Sequence, residues 1–354
     1  MMVTEHAIGS HELVVWATDE GSGLHAAIAV HRAYPAIALG QVTFRPAGED
    51  SSEAVLEALE RSRRLTDAAR TLEVPVAGAS VVVSGAPGRP GHRRAMDAIG
   101  RIMTRLDRQI WLIPGPGSTP EDLSIVGRQW ALVAGAQPAD HHLPPAARGA
   151  VASARTALRR QTDGGFAGSS VLVLGAGRLG EGVARMLAAQ DARVMIADRD
   201  DVARAASLAD EVDGVLVQWT DALTTSCDVM MPCTANLALS VEAVEMLRCS
   251  VLVGPADGQL EDEAISSTIA ARGIVWVPEV LAGAGALMAA AREMGVAHVR
   301  QDVDSDSAYI SRVTAEILDA AESDGIEPRV VLEQRGLQSP GSPDGGPGAS
   351  AQAA

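Results

Sequence analysis

A run of glycines between residues 175 and 180 has the residue types and spacing of a phosphate-binding turn. It follows the apolar segment 170–174 and opens a segment predicted to be helical. That setting makes the GxGxxG pattern specific, because its glycines allow a tight turn and a close backbone approach to pyrophosphate at a helix N-terminus. The residues predicted to bind a dinucleotide in this turn are Gly175, Gly177, Arg178, Leu179 and Gly180.

An acidic residue at the end of the next predicted strand completes the pattern. Asp198 follows the turn by about twenty residues. A carboxylate there accepts hydrogen bonds from the adenosine ribose hydroxyls and repels a 2′-phosphate, so the sequence predicts NAD rather than NADP. The neighbouring Arg199 leaves NADP open and is kept among the cofactor-binding candidates. The alternative is a Rossmann fold that no longer binds a nucleotide.

The basic residues are all of one type. Lys and Arg together number 29, and every one of them is arginine. Arginine stays protonated at any working pH. Schiff-base formation, a lysine general base and a lysine-held phosphate are therefore excluded. Biased codon usage explains arginine on the surface, but it does not explain an active site without lysine.

Composition limits the classes of protein and partner. The 354 residues, 47% of them hydrophobic, predict two folded domains. The net charge of −16 disfavours nucleic acid and anionic membrane surfaces as partners. Three cysteines in no metal-binding spacing predict neither a metal site nor a disulfide framework. Because the first residues lack signal-peptide features and no apolar run reaches the roughly 20 residues that span a bilayer, we expect a cytoplasmic protein.

The pattern of predicted strands and helices divides the chain into two parts. Residues 1–145 mix predicted strands and a long helix, which indicates an α/β domain. Residues 146–300 alternate apolar strands with helix-capable segments, which is typical of a doubly wound parallel sheet of the Rossmann type. Residues 336–354 are predicted to be disordered because they lack core-forming side chains. The predicted strands are 12–18, 24–31, 79–84, 170–174, 193–197, 214–217, 229–231, 250–253 and 273–277, and the predicted helices include 51–72, 146–161 and 181–190.

The order of these segments resembles the glutamate/leucine/phenylalanine/valine dehydrogenase family, above all its leucine and phenylalanine dehydrogenases. The resemblance covers roughly residues 9–335. The stretches that carry it, besides 175–198, are Ser22-Gly-Leu-His-Ala-Ala-Ile-Ala-Val-His31, Ala38-Leu-Gly40, Arg61-Ser-Arg-Arg-Leu-Thr66, Ser118-Thr-Pro-Glu-Asp-Leu123, Cys227-Asp228, Pro232-Cys233, Gln259-Leu260 and Ser323-Asp-Gly-Ile-Glu-Pro328.

The resemblance implies an architecture and an activity. It implies an N-terminal substrate and oligomerisation domain, a Rossmann domain, a deep cleft between them, and C-terminal helices over 301–335 that pack back on the first domain. It adds Cys233 to the candidate cofactor-binding residues and implies a homo-oligomer. Enzymes of the family oxidatively deaminate amino acids with a nicotinamide cofactor.

The residues that carry out deamination in the family are replaced here. The family's two lysines correspond to Ala68 and Ser80, its aspartate to Gly115, and its asparagine to Gly283. A threonine that faces the nicotinamide corresponds to Ala147. General acid and base groups contribute about 10²–10⁴-fold each to rate. Ordinary amino-acid deamination is therefore expected to be absent or vestigial.

Four polar residues at or near these positions are candidates for catalysis, and each has a structural alternative. Ser80 either acts or only fills the space of the lysine. His142, at the predicted domain junction, either relays a proton or lies in an exposed linker. Asp257 either transfers a proton or binds the nicotinamide ribose or caps a helix. Glu279 is either an acid in the cleft or a solvated loop residue.

Two functions remain open from the sequence. The first is a NAD-dependent oxidoreductase that acts on a small amine or imine other than a free α-amino acid, because hydride chemistry is carried by the cofactor. A pocket with small residues in place of lysine and aspartate suits a bulkier, uncharged substrate. The second is a catalytically inactive relative that serves as a dinucleotide-binding sensor or a structural subunit.

Overall fold

The computed structural model describes residues 2–32, 37–46, 51–135, 145–234, 237–256, 258–296 and 303–338. It divides into two compact units. The first comprises 1–140, 290–299 and 335–354, and the second comprises 141–289 and 300–334. Each unit contains one six-stranded sheet with helices, which confirms the predicted α/β class.

The first unit is built on a mixed sheet with the strand order β1-β2-β3-β5-β4-β6. Neighbouring strands from β1 through β5 in this order are antiparallel, and β4 runs parallel to both β5 and β6. Its elements are β1 (Met2–Ile8), β2 (His11–Asp19), β3 (Leu24–His31), β4 (Ala38–Arg45), α1 (Ser51–Thr71), β5 (Ala77–Ser84), α2 (His92–Leu106), β6 (Ile110–Pro114) and α3 (Pro120–Val126).

Alternation along the central strands gives this sheet two different faces. Large residues such as Ile28 and Val81 join the main core, together with Ile99 and Met103 of α2. The opposite face carries small residues such as Ala27 and Ala29, which pack with Ala54 and Ala58 of α1. Small side chains on one face let α1 approach the sheet closely, because a strand presents alternate residues to opposite sides.

The second unit is a fully parallel sheet with the order β9-β8-β7-β10-β11-β12. This is the 3-2-1-4-5-6 order of the dinucleotide-binding fold, with its switch point between β7 and β10. The elements are α4 (Pro145–Leu158), β7 (Ser170–Leu174), α5 (Arg178–Ala188), β8 (Arg193–Ala197), α6 (Val202–Glu211), β9 (Val215–Leu216), β10 (Cys227–Pro232), α7 (Val241–Met246), β11 (Cys249–Val253), α8 (Ser266–Ala271), β12 (Val275–Val277), α9 (Glu279–Ala282), α10 (Ala284–Glu293), α11 (Val303–Asp324) and α12 (Pro328–Gln338), with 3₁₀ turns at Trp219–Thr224 and Glu263–Ile265.

The C-terminal helices differ from their predicted boundaries. Residues 300–334 group with the second unit, where the hydroxyl of Ser153 on α4 lies 3.1 Å from that of Thr314 on α11. Both side chains are fully buried, so α11 is packed on α4 through this polar contact. Helix α12 continues to Gln338, so residues 336–338 of the predicted disordered tail are helical, and the rest of that tail lies outside the described residues. None of the helices in the described ranges has the length and apolarity needed to cross a bilayer.

Candidate functional site

The glycine turn joins β7 to α5 at the carboxyl edge of the parallel sheet. Gly175 has φ +105°, a conformation that favours glycine, and its N–H donates to the carbonyl of Ala197 at 2.7 Å. A Cβ at Gly180 would overlap the carbonyl oxygen of Gly175, so only glycine lets α5 start this close to the strand. Gly177 faces open space instead, since nothing lies within 4 Å of where its Cβ would be. Gly177 thus leaves room for a ligand, whereas Gly175 is required by its backbone conformation and Gly180 by packing.

Helix α5 begins without a side-chain cap. Gly177 is its N-cap and provides no side-chain hydrogen bond. The first N–H groups of a helix have no intrahelical partner, and they form the positive end of the helix dipole. Arg178 and Leu179 form the first helical positions, with Arg178 exposed. This end of α5 has the donors and the potential that a pyrophosphate requires.

Asp198 ties the turn to the loop that follows β8. One carboxylate oxygen, Oδ2, accepts the N–H of Ala176 at 2.7 Å. The other, Oδ1, accepts the N–H groups of Asp200 at 2.9 Å and Asp201 at 2.8 Å. Three backbone donors therefore fix the orientation of one carboxylate beside the open glycine turn.

These bonds also set the charge of Asp198. Burial opposes ionisation, but the N–H groups of Ala176, Asp201 and Asp200 and the charge of Arg204 outweigh it, so the pKa of Asp198 is lowered. The side chain is a carboxylate at neutral pH. A fixed negative charge at this position attracts hydroxyl groups and repels phosphate.

Two further candidate residues lie at this edge of the sheet. Arg199 is about half exposed, and its Nε lies 3.4 Å from a carboxylate oxygen of Asp200. Its guanidinium also lies over the ring of Trp219, with 5.9 Å between Cζ and the ring centroid. Cys233 follows β10, and its N–H donates to Leu174 at 2.8 Å. Burial raises the pKa of the Cys233 thiol, so this residue contributes a main-chain position beside Gly175 rather than a reactive sulfur.

In the first unit, Ser80 lies inside the sheet and not on its surface. It is in β5, paired in register with Ala29 of β3 and Gln41 of β4, and it is fully buried. Its hydroxyl has no hydrogen-bond partner among the described residues. Because no acceptor for its proton lies within hydrogen-bond distance in the described ranges, this hydroxyl is poorly placed to act as a nucleophile or an acid.

The other replaced positions of the first unit are also closely packed. Gly115 lies against β4, where an added Cβ would come within 2.9 Å of both Gln41 and Thr43. Ala68 on α1 is only 8% exposed. The positions that the resemblance assigns to one lysine, Ser80, and to the aspartate, Gly115, therefore lie against the same segment of β4. Gln41 and Thr43 lie close to where the Cβ of an acidic residue at 115 would be.

In the second unit, the start of α4 is brought against the junction of α9 and α10. A Cβ at Gly149 would come within 2.7 Å of the amide nitrogen of Gly285. Ala147, two residues before Gly149, is fully buried, and Gly283 lies at the C-terminus of α9. Glu279 was expected in a loop, but it is the first residue of α9 and is half-buried. The structure thus gathers three of the replaced or candidate positions at one place.

Two candidates cannot be placed. His142 and Asp257 lie outside the described residues. Within the ranges that are described, no group of three or more His, Cys, Asp or Glu side chains is arranged to hold a metal ion.

The sequence prediction missed three polar or aromatic residues at these positions. Gln41 and Thr43 face the replaced lysine and aspartate positions from β4, and the hydroxyl of Thr43 is buried without a partner among the described residues. Trp219 lies under the guanidinium of Arg199, which follows the candidate ribose acceptor Asp198 in the chain. Gln41 and Thr43 were missed because strand β4 was not predicted. Trp219 could have been found, because tryptophan is rare in this chain, with five in all, and Trp219 comes just after the predicted strand 214–217.

Comparison with known proteins finds relatives that match most of the chain. A family model described as shikimate/quinate 5-dehydrogenase matches residues 157–251. The chain is 29% identical to a valine dehydrogenase of Streptomyces albus, covering 92% of this chain and 91% of the relative. It is 27% identical to a phenylalanine dehydrogenase of Thermoactinomyces intermedius, with 92% and 91% covered. A leucine dehydrogenase of the same organism is 25% identical, with 80% and 78% covered.

Solved structures share the fold. L-tryptophan dehydrogenase of Nostoc punctiforme superposes with a TM-score of 0.71 at 21% identity, covering 93% of this chain and 95% of that one. A hetero-hexameric glutamate dehydrogenase of Thermus thermophilus superposes with a TM-score of 0.74 at 16% identity, covering 95% and 86%. At 25–29% identity over 80–92% of its length, the valine, leucine and phenylalanine dehydrogenases are homologues of this chain.

Proposed function

We propose that this chain binds NAD(H) at the glycine turn of its second unit and acts as an oxidoreductase on an amine or imine other than a free α-amino acid. The observation that carries the proposal is the Asp198 carboxylate, held by three backbone N–H groups next to the open position at Gly177. Dehydrogenases of valine, leucine and phenylalanine among its homologues support the reaction class.

The arrangement at the adenosine end favours NAD. With three N–H groups bound, Asp198 keeps acceptor capacity for a ribose hydroxyl on Oδ2, which receives only one of them. Its lowered pKa keeps the charge that repels a 2′-phosphate. Gly177 and the first N–H groups of α5 would receive the pyrophosphate.

The substrate class follows from what surrounds the nicotinamide end of a parallel sheet of this order. When bound, NAD(H) supplies hydride transfer. The positions that we expect there are the small residues Ala147 and Gly283 and the half-buried Glu279. Without lysine anywhere in the chain, a substrate carboxylate has no ammonium group to pair with. We therefore expect an amine or imine without a carboxylate group to suit these positions better than a free amino acid.

A titration of the purified chain with NAD, NADH, NADP and NADPH tests the proposal. We expect binding of NADH in the micromolar range, with thermal stabilisation, and weaker binding of NADPH. Turnover is then assayed with a panel of cyclic imines, primary amines and the free amino acids valine, leucine and phenylalanine. Absence of binding at millimolar dinucleotide would refute the proposal, and turnover of a free amino acid would refute the substrate class.

The second candidate function is dinucleotide binding without turnover, as a sensor or a structural subunit. The complete burial of Ser80 and the close packing at Gly115 favour it, because both replaced positions are filled from within the first unit. Micromolar NADH binding with no turnover on the whole panel would distinguish this function from the first.

We also propose a homo-oligomer, as the resemblance implies. Light scattering coupled to size-exclusion chromatography measures it directly. A mass equal to one chain of 36.6 kDa at micromolar concentration would contradict it.

A further inference from the structure

The side chains of Arg199 and Trp219 lie together at the carboxyl edge of the second sheet, on the side of Asp198 away from the glycine turn. Trp219 follows β9, and the N–H of Val217 still donates to Ile196 of β8 at 2.8 Å. Pairing up to Val217 places Gln218 and Trp219 level with the end of β8, where Asp198 and Arg199 lie. The two side chains are therefore neighbours of the carboxylate that would hold the adenosine ribose.

The Trp219 ring is held by packing, whereas the Arg199 guanidinium is held by contacts at the surface. Trp219 is half-buried and packs against the core of the second unit beside Met195 and Leu223. Arg199 is about half exposed, and within the described residues it forms an ion pair of 3.4 Å with Asp200, which is itself 76% exposed. One partner is fixed by packing, and the other is free to adjust at low cost.

The spacing of the pair suits a flat ligand. Cζ of Arg199 lies 5.9 Å from the centroid of the Trp219 ring. A planar group stacked on both sides needs about 3.5 Å on each side, or about 7 Å in all. An outward shift of Arg199 by about 1 Å would provide this gap. Guanidinium groups and indole rings both stack on planar aromatic systems.

We propose that Arg199 and Trp219 form a clamp that receives the adenine base of the dinucleotide, with the indole on one face and the guanidinium on the other. This inference rests on the proposed dinucleotide site. A purine attached to a ribose at Asp198 has its glycosidic bond within reach of this edge, and the pyrophosphate at the glycine turn occupies the opposite side. The clamp makes these two residues determinants of adenine recognition, separate from the ribose contact of Asp198.

The clamp is tested by separating the two halves of the ligand. NADH and ADP-ribose contain the adenosine half, whereas reduced nicotinamide mononucleotide lacks it. The affinity of each for wild type, Arg199→Ala, Trp219→Ala and Trp219→Phe is measured by calorimetry. Arg193→Ala is the matched control, because this exposed arginine lies at the opposite end of β8. Circular dichroism and thermal melts establish that each variant is folded.

We expect Trp219→Ala to weaken NADH and ADP-ribose about 10-fold or more, as base stacking on an aromatic residue is worth in other proteins. Arg199→Ala should weaken both by about 3- to 10-fold. Trp219→Phe keeps an aromatic face, so its affinity for NADH and ADP-ribose should lie between those of wild type and Trp219→Ala. It also tests the clamp if the alanine variant does not fold. Binding of reduced nicotinamide mononucleotide and the Arg193→Ala control should match wild type. Quenching of tryptophan fluorescence by ADP-ribose should disappear in Trp219→Phe.

The outcomes separate the clamp from the site on which it rests. If wild type binds NADH and the Arg199 and Trp219 variants bind it equally well, the clamp is wrong and the dinucleotide site stands. Equal weakening of all three ligands would also overturn the clamp, because it would indicate a general disturbance. If wild type binds neither NADH nor ADP-ribose, the proposed function fails and the clamp fails with it.

Discussion

The imidazole rings of His11 and His31 lie 4.8 Å apart, buried at the edge of the first unit where β2 begins and β3 ends. His11 Nε2 lies 3.0 Å from the carbonyl oxygen of Leu59 on α1, and His31 Nε2 lies 3.0 Å from the hydroxyl of Ser10. Burial first, and then the charges of His11 and three nearby arginines, lower the pKa of His31 to about 4. Burial also lowers the pKa of His11.

This histidine pair predicts a loss of stability in mild acid. His31 is neutral in the folded chain down to about pH 4, whereas in the unfolded chain it takes up a proton below its ordinary value of 6.5. The contribution of His31 to the free energy of unfolding is therefore fully present above pH 6.5 and decreases as the pH drops toward 4. The decrease over this range is about 3 kcal/mol. Denaturant unfolding at several pH values measures it.

A substitution isolates the contribution of His31. His31→Gln should give a smaller decrease in the free energy of unfolding between pH 6.5 and 4 than wild type shows. His25→Gln is the control, because His25 lies on the same strand, β3, but is exposed. An unchanged pH dependence in His31→Gln would show that the pair does not titrate as described.

Substitutions at Gly180 and Gly177 of the turn should have different effects, the first on stability and the second on NADH affinity. Gly180→Ala should lower the melting temperature, because its Cβ would overlap the carbonyl oxygen of Gly175. Gly177→Ala should leave the melting temperature of the free chain nearly unchanged, since its φ is −63° and its Cβ meets nothing within 4 Å. The same methyl group should weaken NADH about 10-fold or more by blocking the pyrophosphate. Thermal melts with and without NADH separate these effects, and loss of both properties in Gly177→Ala would contradict the assignment.

Asp198 predicts the choice between the two dinucleotides. Asp198→Ala should weaken NADH by about 10-fold or more, because hydrogen bonds to charged groups contribute about 1.5–3 kcal/mol. NADPH should be affected less, since the repulsion of its 2′-phosphate is removed as well. Asp210→Asn provides the control, as Asp210 is exposed near the C-terminal end of α6. Equal weakening of NADH and NADPH would argue against a ribose contact.

The packing in the first unit predicts that the family's acidic residue cannot be restored singly. Gly115→Asp should lower the free energy of unfolding by about 1–3 kcal/mol, because its Cβ would approach Gln41 and Thr43 at 2.9 Å. Ser80→Ala should be neutral or slightly stabilising, since it removes a buried hydroxyl without a partner among the described residues. Neither change should alter NADH affinity. A large loss of turnover in Ser80→Ala would return Ser80 to the candidate catalytic residues.

The second unit could be predicted closely from the sequence. The strands 170–174 and 193–197 were predicted with the bounds that β7 and β8 have, because continuous apolar runs between turn residues are characteristic of buried parallel strands. The helix 181–190 was predicted too late, since α5 begins at Arg178 inside the glycine pattern. Glycine-rich helix starts lack the local signals that mark other helices.

The first unit was harder to predict. Strand β1, whose residues are mostly exposed, shows no alternation of apolar and polar residues, and β4 contains Gly40 and Gln41 within an otherwise ordinary strand. The burial of Ser80 could not be foreseen, because it depends on pairing with β3 and β4 and on the closeness of α1. The approach of Arg199 to Trp219 likewise depends on the register between β8 and β9, which the sequence pattern does not specify.

The Asp198 carboxylate makes one cooperative unit of two loops that belong to different strand connections. The N–H groups of Ala176, Asp200 and Asp201 share a single acceptor side chain, so a movement of that carboxylate releases all three at once. Their protection from hydrogen exchange, corrected for the intrinsic rate of each amide, should therefore fall together as the carboxylate is protonated. The empty site would then already have the rigidity of the occupied one, and binding would cost little conformational entropy.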